Sequence, residues 1–224
     1  MTLEIKPNRE NWSFYDHMPE GMFEHYARKL GLDHAPELDI IDYTWKKAKS
    51  VLEIGAGEGR IIDELRRRSY SGHVYALERC PKLCSRLKKK YLKHKRLDIL
   101  QGSLLDRELP RAECGLWMWA GIIEFSPEEQ EKAIAKLSKS VDTLCIEVPV
   151  LGEIKATVQQ GNIGFLEAPW NQIIHYYWPS SEEIERYLAK SDFAGFSRLS
   201  YTTNMNRRRV IYRLGKSLPK NKMP

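Results

Sequence analysis

Two carboxylates and three glycines carry the most chemistry in this 224-residue chain. Glu53 stands two residues ahead of Gly55, and Gly55, Gly57 and Gly59 follow in G-x-G-x-G spacing on the apolar run Val51–Ile54. An amphipathic helical pattern begins at once. Such a strand–turn–helix junction brings bare backbone against a ligand that side chains would otherwise block. A second apolar run, Val74–Leu77, ends in Glu78, 19 residues past Gly59. A carboxylate there can accept two hydrogen bonds from a ribose diol. Glycine-rich turns also occur without ligands, but an acidic strand end at this spacing reads as a crevice for a nucleotide-like molecule. NAD turns prefer G-x-G-x-x-G, whose third glycine falls where this chain has Arg60. Glu53 is an odd charge near the end of a buried strand unless a cation lies beside it. A methionine ammonium would supply one.

With these residues in view, the chain resembles class I S-adenosylmethionine-dependent methyltransferases over roughly residues 45–214. Val51–Arg60 resembles the family's first motif, and Glu78 its ribose-binding acid, with Arg79 beside it. Leu100–Asp106 resembles the third motif, whose loop holds the adenine, and Leu116–Phe125 the fourth strand with its following loop. Asp142–Pro149 reads as strand five, and His175–Trp178 followed by Ser181–Phe196 resembles the family's late helix. The resemblance implies S-adenosyl-L-methionine as cofactor and S-adenosyl-L-homocysteine as product. It assigns their contacts to Glu53, Gly55, Ala56, Gly57, Gly59, Glu78, Arg79, Gly102, Ser103, Leu104 and Trp119. Two departures stand out. Ser103 occupies the place of a usual Asp and accepts a bond from an amino group more weakly than a carboxylate does. Cys114 stands where strand four often has Asp, which leaves Trp119 and the loop backbone to meet the methionyl end.

A sulfonium already carries a reactive methyl, so such a protein chiefly aligns a nucleophile with the methyl–sulfur bond. A general base helps when the nucleophile is protonated. His175 is one candidate base, in a segment that faces substrate in similar enzymes, and Glu124, just past a strand end, is the other. Tyr15, Trp170, Tyr176 and Tyr177, with Trp119, are candidate walls for a flat or cationic substrate. Each of these residues also suits ordinary core packing. No Asn/Asp-Pro-Pro-Tyr stretch follows the fourth strand, which disfavours methylation of DNA exocyclic amines. The methyl acceptor is expected to be a small molecule reacting through oxygen, nitrogen or sulfur. The alternatives are an RNA or protein methyltransferase, or a module that binds the cofactor without turnover.

Charge bears on that choice. The chain carries 36 basic and 30 acidic residues, and seven of the cations, Arg207 to Lys222, lie past Met205 with no acid among them. Without them the balance is 29 to 30, so the net +6 belongs to this end. A second run, Lys82–Arg96, holds eight cations and no acid. The two runs read either as solvated surface or as a footprint for RNA or another polyanion. Six histidines lack ligand spacing and four cysteines form no C-x-x-C pair, so no metal site is expected. No signal-peptide pattern or membrane-length apolar run is evident, and a cytoplasmic protein with reduced thiols is expected.

The elements that must position these residues alternate. Strands are expected at 51–54, 73–78, 97–101, 115–119 and 142–148, with helices at 20–31, 35–45, 59–68, 81–94, 127–139 and 180–190. This predicts an α/β, doubly wound, mostly parallel sheet covered on both faces. Strands at 197–203 and 207–214, four residues apart, predict a C-terminal antiparallel hairpin, which is also the family's ending. The expected organisation is an N-terminal arm and helical lid over 1–44, a methyltransferase-like domain over 45–214 with an irregular cap insertion at 150–178, and a basic tail over 215–224.

Overall fold

A computed structural model describes residues 12–151, 158–168 and 172–217. Two short helices, α1 (Trp12–Asp16) and α2 (Met22–Leu30), form the arm. The helix expected over 35–45 is instead two turns, α3 (Glu37–Ile40) and α4 (Asp42–Trp45), broken at Ile41. The buried Trp45 ties them together by donating its indole N–H to Leu38 O at 2.8 Å. Strand β1 (Ser50–Ile54) and helix α5 (Arg60–Arg67) flank the glycine turn. They are followed by β2 (His73–Glu78), α6 (Pro81–Lys90), β3 (Leu97–Gln101), β4 (Ala112–Trp117), α7 (Pro127–Ser140) and β5 (Val141–Pro149). Helix α6 stops four residues short of expectation because Tyr91 turns inward and bonds to Gly59 O and Asp63.

After β5 come β6 (Val158–Gln160), β7 (Ile163–Glu167), β8 (Ile173–Tyr177), α8 (Ser181–Ala189), β9 (Gly195–Thr202) and β10 (Arg208–Gly215). Seven strands form one sheet in the order β3-β2-β1-β4-β5-β10-β9. Its first five strands run parallel, and β10 inserts antiparallel between β5 and β9. The strand order reverses direction beside β1, and in such folds ligands sit beyond the strand ends at that switch. The expected doubly wound sheet with an antiparallel ending is what the chain forms.

Alternation along the strands sends side chains into two cores. Leu52, Ile54, Leu144, Ile146 and Val210 pack under α7 and α8. Val51, Cys114, Leu116, Cys145 and Ile211 pack under α3 to α6. Fully burying a side chain of this size contributes roughly 1.5–3 kcal/mol, so the parallel sheet is a stiff platform for its loops. Helices α7 and α8 each start with a capping box, at Ser126/Glu129 and Ser180/Glu183, which fixes where they begin.

The described residues of 150–178, expected to be irregular, include three strands. There β6, β7 and β8 make a separate antiparallel sheet, with Phe165 opposite His175 and Gly164 opposite Tyr176. Isoleucines and aromatics dominate these strands, which suits a pleated half-buried surface. Among the described residues no helix is long and apolar enough to cross a membrane, and no cluster of three metal-ligating side chains occurs.

Candidate functional site

The carboxyl ends of β1, β2 and β3 converge through backbone groups. Gly55 N–H and Ala56 N–H both donate to Leu77 O, at 2.9 and 3.0 Å, and Gly102 N–H donates to Glu78 O at 3.0 Å. The Glu78 carboxylate accepts from Gly57 N–H and from Cys80 N–H, each at 2.8 Å. So the acidic strand end and the glycine turn, 21 residues apart, are bonded to each other. Each carboxylate oxygen keeps acceptor capacity for a further donor. Burial raises the Glu78 pKa above the ordinary carboxylate range, with the backbone donors opposing that rise.

The three glycines play different parts. All have positive φ (72° at Gly55, 57° at Gly57, 88° at Gly59). A Cβ on Gly55 would meet open space, so this is the bare backbone facing the cavity. A Cβ on Gly57 would lie 3.4 Å from the Phe23 ring of α2. A Cβ on Gly59 would lie 2.3 Å from Tyr91 Oη. Gly59 therefore serves helix packing and, unlike the other two, does not line the cavity.

That cavity has a volume of about 1420 Å³. Of the expected cofactor contacts it is lined by Glu53, Gly55, Ala56, Gly57, Glu78, Arg79, Gly102, Leu104 and Trp119. Ser103 does not line it, and its hydroxyl instead accepts from Leu105 N–H at 3.2 Å in a local turn. Glu53 is buried at 3% exposure, and its Oε2 has no hydrogen-bond partner. Burial raises its pKa to about 8, against the pull of Arg60. Trp119 lies two residues past β4 rather than within the strand, in the left-handed region with φ 55°, next to Ala120 at 59°. Bulky residues avoid that region, at a cost of order 1–3 kcal/mol, and such strain clusters at ligand clamps.

The other end of the cavity is aromatic with one charged knot. Tyr15 Oη donates to Glu124 Oε1, and Arg79 Nη2 donates to Glu124 Oε2 at 2.8 Å. Arg79 also stands over the Tyr15 ring at 5.6 Å, and Tyr15 stacks on Phe23 at 5.8 Å. Phe23 meets Trp119 edge-on at 5.7 Å. Glu124 ends a 3₁₀ turn, Gly121–Glu124, and is raised in pKa by burial, with Arg79 and Tyr15 opposing. Tyr176 lines the cavity from β8, and burial raises its phenol as well.

Strand alternation decides the fate of the neighbouring candidates. Tyr176 and the buried Ile174 share one face of β8, so His175 and Tyr177 point to the other. His175 rests against the Phe165 ring at 6.1 Å, and Tyr177 donates to Glu183. Neither lines the cavity, so His175 is not placed to act as a base there. Trp170 lies outside the described residues. Sequence reasoning missed Phe14, Phe23 and Tyr26 of the arm, and also Arg60, all of which line the cavity.

The basic run Lys82–Arg96 is divided. Lys82 Nζ donates to Asp16 O and Met18 O at 2.8 and 3.2 Å, Arg86 pairs with Glu58 at 2.9 Å, and Lys90 with Asp63 at 2.5 Å. Three of its cations thus clamp the arm and the glycine loop. At the C-terminal end Arg209 is buried against Glu147 at 3.0 Å, and Arg213 covers the Tyr43 ring at 4.9 Å. Among the described residues, the cations past Met205 do not form one exposed patch.

Residues 51–143, which hold the glycine turn, Glu78 and Glu124, match the methyltransferase domain family. Over this stretch the chain is similar to methyltransferase domains. Solved structures agree on its fold, which is that of class I methyltransferases. An S-adenosylmethionine-bound amino pentose methyltransferase from Micromonospora echinaspora, involved in calicheamicin biosynthesis, is 15% identical at a TM-score of 0.64, covering 88% of this chain and 98% of its own. The 1,6-didemethyltoxoflavin-N1-methyltransferase of Burkholderia thailandensis, with its substrate and S-adenosylhomocysteine bound, is 14% identical at 0.61, covering 97% and 94%. A glycopeptide N-methyltransferase complexed with S-adenosylmethionine is 14% identical at 0.58, covering 82% and 93%. No curated protein matches the chain significantly by sequence.

Proposed function

We propose that this methyltransferase domain binds S-adenosyl-L-methionine at the glycine turn and transfers its methyl group to a small molecule through oxygen, nitrogen or sulfur. The observation that carries the reading is the 2.8 Å bond between Gly57 N–H and the Glu78 carboxylate, set at the edge of a cavity that also holds an unpartnered Glu53 oxygen. The residues fit the group. Glu78 keeps lone pairs for a ribose diol, Gly55 leaves its backbone bare, and the orphaned Glu53 oxygen calls for a cationic donor. When bound, the cofactor supplies a methyl already activated on a sulfonium.

The chain's own residues do the rest. Phe14, Phe23 and Trp119 exclude water and offer flat apolar walls. Tyr15 and Arg79 orient Glu124 by holding both its oxygens. Glu124 takes the acceptor's proton in this reading, because burial lifts it towards neutrality, where a base is most effective. Small-molecule acceptors are favoured over RNA because three cations of the basic run, Lys82, Arg86 and Lys90, are engaged with the arm, the glycine loop and α5.

Calorimetry with S-adenosylhomocysteine and NAD tests the cofactor assignment. Micromolar binding of the first and none of the second is expected; tight NAD binding alone would sink it. Methyl uptake from labelled cofactor into fractionated metabolite mixtures then tests the acceptor class.

A further inference from the structure

We propose that a second, smaller cavity at the amino-terminal ends of β2 and β3 binds a small organic anion, a carboxylate or phosphate ester on an apolar body of about one ring. It lies at the opposite end of the sheet from the glycine turn, and it does not rest on the cofactor reading. Helix α5 ends there at Arg67, β2 begins at His73 and β3 at Leu97. The length of β2, His73–Glu78, separates this cavity from the Glu78 carboxylate, about 17 Å at roughly 3.3 Å per residue. Its volume is about 250 Å³, a little under the roughly 300–1,000 Å³ of pockets for drug-sized ligands. Ile62, Leu65 and Val74 give it an apolar side. The Tyr70 ring is fixed beside them by the bond from its Oη to Ala48 O at 2.9 Å. Gly72 permits that placement, since a Cβ there would lie 2.2 Å from Tyr70 Oη.

Charge decides the ligand. Arg66, Lys95 and Arg96 line the cavity, and no carboxylate does. Two of them touch only uncharged groups: Arg66 stands over the Tyr91 ring at 5.6 Å, and Arg96 donates to Ser71 O. Among the described residues none of the three forms an ion pair, whereas the cations around them do. Arg67 pairs with Glu64, Arg68 with Asp39 and Lys90 with Asp63. His94 lines the same space, and its Nδ1 is buried without a hydrogen-bond partner. Burial, and then Arg66, hold its pKa below the ordinary 6.5. At pH 7 it therefore offers a neutral ring with one donor and one acceptor, and the positive charge comes from the other three. A carboxylate or phosphate group would meet that charge through charge-assisted hydrogen bonds. A ring attached to it would cover the apolar side, which inorganic phosphate leaves wet. The recess admits one such group, not a continuous phosphate backbone.

Nitrogen-15 glycine labelling of the full chain reads both ends of the sheet in one NMR spectrum, through Gly72 at this cavity and Gly55 and Gly57 at the glycine turn. Benzoate and phenyl phosphate, titrated at about 150 mM salt, the physiological level, are the probes. At least one should shift the Gly72 signal saturably and leave Gly55 and Gly57 in place. Benzyl alcohol, which keeps the ring and lacks the charge, should bind at least about tenfold more weakly, and so should inorganic phosphate. Arg66→Gln should weaken the anion by about ten- to hundred-fold, the usual effect of losing a hydrogen bond to a charged group. Should that variant not fold, the exposed Lys95→Gln should act in the same direction. The proposal is overturned by the absence of a saturable Gly72 shift with both anions, or by affinity unchanged in the folded variants. Equal affinity for benzyl alcohol would reduce the site to an apolar crevice, and equal affinity for inorganic phosphate to a solvated basic surface; either result refutes it. S-adenosylhomocysteine should shift Gly55 and Gly57 and not Gly72, so a failure of the cofactor reading shows at different signals from a failure of this one.

Discussion

Tyr15 and Glu124, 109 residues apart, share a hydrogen bond across the cavity, so the arm and the loop after β4 close on each other through one phenol and one carboxylate. Arg79 completes the knot from the residue after Glu78. This links the Glu78 end of the cavity to the arm at its aromatic end. Glu124 in this setting has a pKa raised above the ordinary 4.5, by burial first of all. As the base it works only when deprotonated, so turnover should rise with pH through that elevated value. Glu124→Gln should lower kcat by about 10²- to 10⁴-fold and remove the acidic limb. Tyr15→Phe keeps the ring and should mainly raise KM. A Glu124→Gln enzyme with a wild-type pH profile would exclude it as the base.

Glu78 bonds to the turn it is expected to serve, which changes the expected outcome of removing it. Glu78→Ala deletes a ribose acceptor and also the anchor of Gly57 N–H and Cys80 N–H. Hydrogen bonds to charged groups contribute roughly 1.5–3 kcal/mol, so cofactor affinity should fall at least about ten- to hundred-fold. Unchanged affinity by calorimetry would place the ribose elsewhere.

Much of this was legible in the residues. The G-x-G-x-G turn and the acid at the end of the next strand are local patterns, and the hairpin follows from two apolar runs four residues apart. Less legible was anything set by which neighbour a side chain meets. His175 and Tyr176 are adjacent in sequence and alike in type, yet only Tyr176 lines the cavity, because β8 pairs with β7 and alternation then assigns the faces. That pairing is between residues of a small sheet whose three strands are too short for periodicity to announce. Lys82 reads as part of a solvated face of α6 because the arm residues it grips, Asp16 and Met18, lie more than sixty residues earlier. Arg60 carried one signal, its place in the glycine pattern, but its partners Leu32, Glu37 and Trp119 are brought together by the fold alone.

The glycines offer a contrast free of any assumed ligand. Gly59→Ala should destabilise the fold by about 1–3 kcal/mol, since φ is 88° and the new Cβ would overlap Tyr91 Oη at 2.3 Å. Gly55→Ala has a similar backbone cost but no such overlap, because its Cβ would face the open cavity. Urea unfolding should therefore rank Gly59→Ala as the less stable, whereas cofactor binding should suffer in both. Equal stabilities would show that Tyr91 yields freely.

Glu53 makes stability itself depend on pH. Its pKa is about 8 in the folded chain against an ordinary 4.5, so the folded state holds the extra proton between those values. The stability this contributes is fully present below about pH 4.5 and is lost as pH rises towards 8. Glu53→Gln cannot ionise, and it should raise the Tm of the ligand-free protein more at pH 8 than at pH 5 while weakening S-adenosylhomocysteine binding. A Tm difference independent of pH would show that Glu53 stays charged throughout.

Salt dependence separates a small-molecule enzyme from one that acts on RNA. If the basic run and the C-terminal cations bound phosphates, log affinity for RNA would fall with log salt at a slope approaching 0.7 to 0.9 per phosphate contacted, roughly. The structure engages part of these cations in contacts of its own. Lys82, Arg86 and Lys90 hold the arm, the glycine loop and α5, Arg209 is buried and Arg213 lies on Tyr43, while Lys88, Lys89, Lys93, Lys95, Arg96 and Arg208 are exposed. The expected slope is shallow, and RNA association should vanish near 150 mM salt, about the physiological level. Deleting residues 218–224, with Lys220 and Lys222, should leave turnover on a small acceptor intact. Tight RNA binding that survives ~200 mM salt and is lost on this truncation would reverse the ranking, and would place the acceptor on a nucleic acid.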